Sequence, residues 1–113
     1  MKYESNEKIQ SKRNESMKLL DPMKKHHINC VAINTGNTKE HELKKFDAAF
    51  ELIKSGYHVV TEAYWKNGKG RADIFVLDTR RVIEILHTET EEKARKKTQK
   101  YPISQEDTTF IQT

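Results

Sequence analysis

HVVTEAYWKNGKGRADIFVLDTRRVIEILHTE, residues 58–89, decides the fold. Residues 57–65 alternate and are rich in β-branched and aromatic side chains, the pattern of a strand. Lys66-Asn67-Gly68-Lys69-Gly70 carries the Asn-Gly signal of a hairpin loop. Residues 71–77 form a second strand, Asp78-Thr79-Arg80 a short turn, and residues 81–87 a third strand. A three-stranded antiparallel meander is therefore expected. Two carboxylates, Asp73 and Glu84, lie inside its apolar runs, where an ionised group is costly unless it is paired or binds a metal. Strand parity places Asp73, Phe75 and Leu77 on one face, and Glu84 with Leu86 on one face of the next strand. A turn centred near Thr79 sets Asp73 nearly opposite Glu84. Two carboxylates at that distance repel each other and raise each other's pKa unless positive charge sits beside them. Either a hard divalent cation, magnesium or manganese rather than zinc, or a surface network of Arg71, Arg80 and Arg81 can supply that charge.

Upstream of the meander, a helix is expected over residues 38–55. Asn37 or Thr38 can cap it, Glu40 stands at capping-box spacing from Asn37, and Gly56 supplies the stop. Leu43, Phe46, Phe50 and Ile53, spaced 3, 4 and 3 and flanked by Ala49 and Leu52, predict the stripe that this helix lays on the sheet. Glu42 falls at the edge of that stripe. Downstream, residues 89–100 predict a helix with Glu89, Glu91 and Glu92 first and Arg95, Lys96, Lys97 and Lys100 last, an order that complements the helix dipole. Pro102 ends it, and Ile103, Phe110 and Ile111 predict a final short strand. The core order is α-β-β-β-α-β, an α/β fold.

Residues 1–37 form a basic extension. Residues 1–27 hold seven Lys or Arg against four acids, and Ile9, Arg13 and Met17 share a face of a possible helix over residues 6–20, stopped at Asp21-Pro22. His26, His27 and Cys30 lack the second ligand pair of a structural zinc site. Residues 28–33 read as a short extended run before the turn at Asn34-Thr35-Gly36-Asn37.

With 113 residues, 35% hydrophobic and 34% charged, the chain can build one modest core and no more. No run is long and apolar enough to span a membrane, the N-terminus lacks a signal peptide's apolar stretch, and one cysteine fits a reducing compartment, so a cytoplasmic location is expected. The net charge of +4 is compatible with nucleic acid but does not select it.

The element order, together with GRAD at residues 70–73 and VIEIL at residues 82–86, resembles the PD-(D/E)XK nuclease superfamily, which includes restriction endonucleases and archaeal Holliday junction resolvases. The resemblance covers residues 38 to about 111 and implies a restriction endonuclease-like domain over residues 38–113. It implies a metal-dependent deoxyribonuclease that takes Mg2+ or Mn2+. Its ligands would be Glu42, Asp73, Glu84 and the Ile85 carbonyl. The lysine of the family's E-x-K motif is Leu86 here. Its loss implies either a relocated lysine, Lys45 or Lys97, or a catalytically impaired nucleic-acid-binding module or nuclease subunit. The Lys69 amine is a weaker substitute, Glu62 an additional ligand or a partner for Arg71, and His87 peripheral. Lys66, Lys69, Arg71 and Lys96 would hold the DNA backbone, with Tyr64 and Trp65 available for stacking on a base. Small nucleases of this kind often act as homodimers.

Overall fold

The computed structural model describes residues 6–113; the first five residues of the basic extension lie outside that range. In chain order come α1 (Asn6–Met17), α2 (Lys39–Lys54), β1 (Val59–Tyr64), β2 (Arg71–Val76), β3 (Arg81–Leu86), α3 (Glu91–Thr98), a 3-10 turn and β4 (Thr108–Gln112). The strands form one mixed sheet in the order β1-β2-β3-β4, antiparallel across the meander and parallel between β3 and β4. The parallel pair is possible because α3 carries the chain across the sheet before β4 returns. Thr38 caps α2 by accepting the His41 N–H, and Thr90 caps α3 by accepting that of Lys93.

Two apolar layers sandwich the sheet. One contains Val60, Ala63, Trp65, Ala72, Phe75, Leu77 and Val82, closed by Leu20, Tyr101 and Ile103 from outside the sheet. The other puts Val59, Ile74, Val76 and Ile83 under Ala48, Ala49, Leu52 and Ile53 of α2. The basic extension reaches the first layer. Arg13 donates to Asp78 at 2.9 Å, the Ser16 hydroxyl donates to the Leu77 carbonyl, and Leu20 bridges to Trp65. Residues 28–33 make no strand, yet they shield the outer edge of β1. The Asn29 N–H donates to Val59, Val59 donates to the Asn29 side chain, and the Ala32 N–H donates to the Thr61 hydroxyl.

The expected stripe on α2 requires correction. Leu43, Phe46 and Phe50 are 52%, 46% and 50% exposed, while His41, Glu42, Lys45 and Ala49 are buried. The sheet takes the face carrying Ala48 and Ala49 because small side chains let the helix come close, and because that rotation brings His41, Glu42 and Lys45 over the polar part of β1 and β2. A second correction concerns strand parity. Val60 and Ala63, three residues apart, share a core layer, as do Ala72 and Phe75. Each strand thus slips by one residue, at Glu62 and Asp73, which stand opposite each other in the register and are absent from its backbone pairing. Glu62 accommodates the slip with φ of 50°, a left-handed conformation that costs about 1–2 kcal/mol for a side chain of this kind.

Candidate metal and nucleic-acid site

The slip opens the sheet where the carboxylates lie. The β2–β3 ladder runs as far as Ile74 opposite Ile83 and then stops. Beyond it, side chains replace backbone partners: the Asp73 N–H donates to Glu84 Oε2 at 2.9 Å, and the Ile85 N–H donates to Asp73 Oδ2 at 2.8 Å. The N–H and C=O of one extended residue point to the same edge, so the Ile85 carbonyl faces this gap as well. Asp73 and Glu84 are 9% and 2% exposed. Burial pushes the Asp73 carboxyl above its ordinary pKa, opposed by the Ile85 N–H and by His41. Burial, reinforced by the charge of Asp73, pushes Glu84 up to about 7.

Tyr101 supplies the other side of Glu84. Its hydroxyl stands 3.0 Å from Glu84 Oε1 and 2.7 Å from the Arg71 carbonyl. One hydroxyl proton cannot serve two acceptors, so both contacts are hydrogen bonds only when Glu84 is protonated and donates to the tyrosine oxygen. Burial, with the charge of Glu84, raises the Tyr101 phenol and keeps it protonated. Gly70 leaves room for this ring: it has φ of 104°, and a Cβ there would lie 3.1 Å from Tyr101 Cε1. Lys97 of α3 is the nearest amine, 3.8 Å from Glu84 Oε1 and 3.8 Å from Glu89 Oε1, with its side chain 55% exposed.

Glu42, in the first turn of α2, has a different environment. Burial raises its pKa, but hydrogen bonds from Lys45, the Asn34 N–H, His41 and Asn37 outweigh burial and hold it at about 2. Lys45, wholly buried, donates at 2.6 Å to Glu42 Oε1 and at 2.6 Å to the Ala32 carbonyl, and lies 3.4 Å from Glu62 Oε2. Its amine is thus engaged by Glu42 and Glu62 rather than by Asp73 and Glu84. His41 links the two groups, with Nδ1 2.8 Å from Glu42 Oε2 and Nε2 3.4 Å from Asp73 Oδ2.

Asp73, Glu84 and Ile85 therefore meet directly, Lys97 reaches Glu84, and Glu42 is separated from them by His41. Among the described residues, no three His, Cys, Asp or Glu side chains are arranged to hold a metal ion. A divalent ion here would draw on two carboxylates, a carbonyl and water. That small, hard, incomplete donor set suits magnesium, which keeps several waters and takes one or two carboxylates from protein.

Around this centre, Arg71 is half-buried, 3.4 Å from Glu62 and over the Tyr64 ring. It lines a groove of about 700 Å³ with Lys25, His27, Thr61, Glu62 and Tyr64. Lys66, Lys69 and Lys96 are exposed, and Lys66 borders a different groove, beside Lys18, Lys24 and His26. Trp65 is 1% exposed and packs edge-on against Phe75, so it has no face for a base. His87 is exposed and paired with Thr113, and Leu86 is buried. His41 and Tyr101 escape a reading by motif. The first precedes Glu42 as an ordinary polar helix residue, and the second reaches Glu84 only through the crossover that follows α3. Matched against known proteins, the chain fits no protein-family model, and no curated protein or solved structure matches it significantly. Among the described residues, no helix is long and apolar enough to cross a membrane.

Proposed function

We propose that this chain is a metal-dependent deoxyribonuclease of the PD-(D/E)XK kind that hydrolyses phosphodiester bonds in DNA. The observation that carries the reading is the buried pair Asp73 and Glu84, side by side where β2 and β3 part, with insufficient positive charge of their own. The order of elements and the position of the pair on the second and third strands support it too. Asp73, Glu84 and the Ile85 carbonyl would hold Mg2+ or Mn2+, and Glu42 acts from one step away through His41. When bound, the ion lowers the pKa of a water and stabilises negative charge on the phosphorus oxygens.

The remaining roles fall to protein groups. Lys97 takes the place that Leu86 leaves empty, as a charge beside Glu84 that faces an incoming phosphate; a protonated amine acts there electrostatically rather than as a base. Tyr101 holds Glu84 in place. Arg71 and Lys25, in the groove beside Glu62, contact the backbone of the bound strand, and Lys66, Lys69 and Lys96 add charge without reading sequence.

The test is cleavage of duplex, single-stranded and branched DNA with and without Mg2+ or Mn2+. Metal-dependent cleavage is expected, abolished by Asp73→Ala and by Glu84→Ala. Cleavage that survives both substitutions sinks the metal-site reading. Salt-sensitive binding with no cleavage in either metal leaves a nucleic-acid-binding module, the reading favoured by the buried Leu86 at the motif's lysine position.

A further inference from the structure

Four of the six large hydrophobic side chains exposed among the described residues lie on or beside one edge of α2: Ile33, Leu43, Phe46 and Phe50. They are contiguous. Ile33, Leu43 and Phe46 line one groove of about 570 Å³, and the Phe46 and Phe50 rings stand 6.0 Å apart. A regular 3-and-4-spaced apolar row that the helix's own sheet does not use marks an interaction surface. Half-buried Ile53, which also packs on the sheet, ends it where the row meets the core.

The charges along this edge indicate what covers it. Glu40, Asp47 and Lys54, all exposed, recur every seven residues on one flank of the row. Placed parallel to a copy of itself about a two-fold axis, α2 would turn this flank toward the partner's opposite flank, which is buried on its own sheet at Glu42 and Ala49, and would leave the three charges unmatched. Placed antiparallel, with Phe46 opposite Phe50 and Leu43 opposite Ile53, it sets Glu40 against Lys54 and Lys54 against Glu40. Only Asp47 then meets its own copy, near the axis. The row is thus complementary to itself in one orientation, as an isologous two-fold contact requires.

We propose that α2 pairs antiparallel with α2 of a second copy of this chain through Leu43, Phe46 and Phe50, forming a two-fold dimer. In that register the two Glu42 positions are separated by twelve residues of helix, about 18 Å, and by one helix-to-helix spacing of about 9 Å. The two Glu42 positions then lie about 20 Å apart. Resting on the nuclease reading, this spacing is of the order needed for each copy to cut one strand of a duplex; the interface itself does not depend on that reading.

Sedimentation equilibrium of the full chain tests the interface without reference to activity. The expected mass is twice the 13.3 kDa of one chain. Phe46→Glu, at an exposed position where the fold is retained by circular dichroism, is expected to raise the dissociation constant at least about a hundredfold. Glu40→Lys and Lys54→Glu should each weaken the dimer about tenfold, and the two together should restore it. Asp47→Asn should tighten it. A monomer at every concentration overturns the proposal, as does a dimer indifferent to Phe46→Glu, and a double reversal that fails to restore association overturns the antiparallel register. A stable dimer that never cleaves DNA counts against the nuclease reading alone, and a cleaving monomer against the dimer alone.

Discussion

Glu42 and Glu84 lie on adjoining elements of one site, yet their surroundings are opposite. Four donors surround Glu42, one of them the ammonium of wholly buried Lys45, and its carboxyl is held at about 2. Glu84 has the Asp73 carboxylate as its neighbour, with the Asp73 N–H, the Tyr101 hydroxyl and an exposed lysine at 3.8 Å as its partners, and is still pushed up to about 7. A protein can satisfy a buried carboxylate with its own groups, as at Glu42. Where it sets one beside another without a buried cation, the pair keeps a proton or takes positive charge from outside. The contrast separates an ion cluster with its own buried cation from a buried carboxylate pair without one.

Removing Lys45 breaks the first half of the contrast with the largest effect. Lys45→Met leaves Glu42 and Glu62 buried without their cation, and the loss of a buried partner costs about 3–5 kcal/mol. Urea denaturation should show the midpoint falling accordingly. A shift within error would mean that water enters the cluster and supports the carboxylates unaided.

The pH dependence of stability sharpens the second half, with an upper bound of roughly 3 kcal/mol. Glu84 is raised from 4.5 to about 7 in the folded chain, so over that window the folded state binds more protons than the unfolded state. Stability contributed by the neutral form is full below about 4.5 and is lost as pH rises toward 7. Glu42 works the other way: its lowered pKa contributes stability above 4.5 that disappears as pH falls toward 2. Urea midpoints in the absence of metal should therefore decline from weakly acidic to neutral pH, and Glu84→Gln should flatten the decline. Saturating Mg2+ or Mn2+ should oppose it, because an ion held by the ionised pair stabilises the folded state at the upper end of the window.

A smaller effect, of opposite sign to that at Lys45, is expected at Asp73. Asp73→Asn keeps an oxygen for the Ile85 N–H and removes the like charge beside Glu84, so it should raise stability in the absence of metal by about 1 kcal/mol while abolishing cleavage. Urea midpoints and metal-dependent cleavage, measured on the same preparation, check both halves. Destabilisation would mean that the pair is already compensated.

Much of this arrangement is legible in the sequence. The strands declare themselves by alternation, the helices by the cap at Asn37 or Thr38 and the order of charge in α3, and the register of the β2–β3 hairpin puts Asp73 nearly opposite Glu84 from turn position alone. Two things are not legible. α2 offers two faces, one with large apolar residues and one with Ala48, Ala49 and a polar triad, and hydrophobicity alone selects the wrong one. The choice is made by how closely the helix can approach the sheet and by the ion cluster it completes, both of which are tertiary. The slip at Glu62 and Asp73 is hidden for a similar reason: no glycine announces the left-handed residue, and Glu62 is held there by Asn34, Lys45 and Arg71 from three separate segments.

The least effect on stability and the most selective effect on chemistry are expected at Lys97. Its side chain is 55% exposed and its amine stands at 3.8 Å from both Glu84 and Glu89, a geometry that contributes little to folding once solvent screening is counted. Lys97→Met should leave the urea midpoint within a few tenths of a kcal/mol. If this amine stands in for the lysine absent at Leu86, the same substitution should lower the rate of metal-dependent cleavage by about 10²–10³ while leaving metal affinity nearly unchanged, because the group acts on the phosphate and not on the ion. Lys97→Arg, which keeps the charge but not its compact shape, should recover part of that rate. Cleavage unaffected by Lys97→Met would remove the relocated lysine from the reading, while the Asp73 and Glu84 pair would still account for metal binding. An equal loss with Lys96→Met would reduce both residues to a shared role in holding the DNA backbone, since Lys96 is exposed and forms none of the contacts to Glu84 described above.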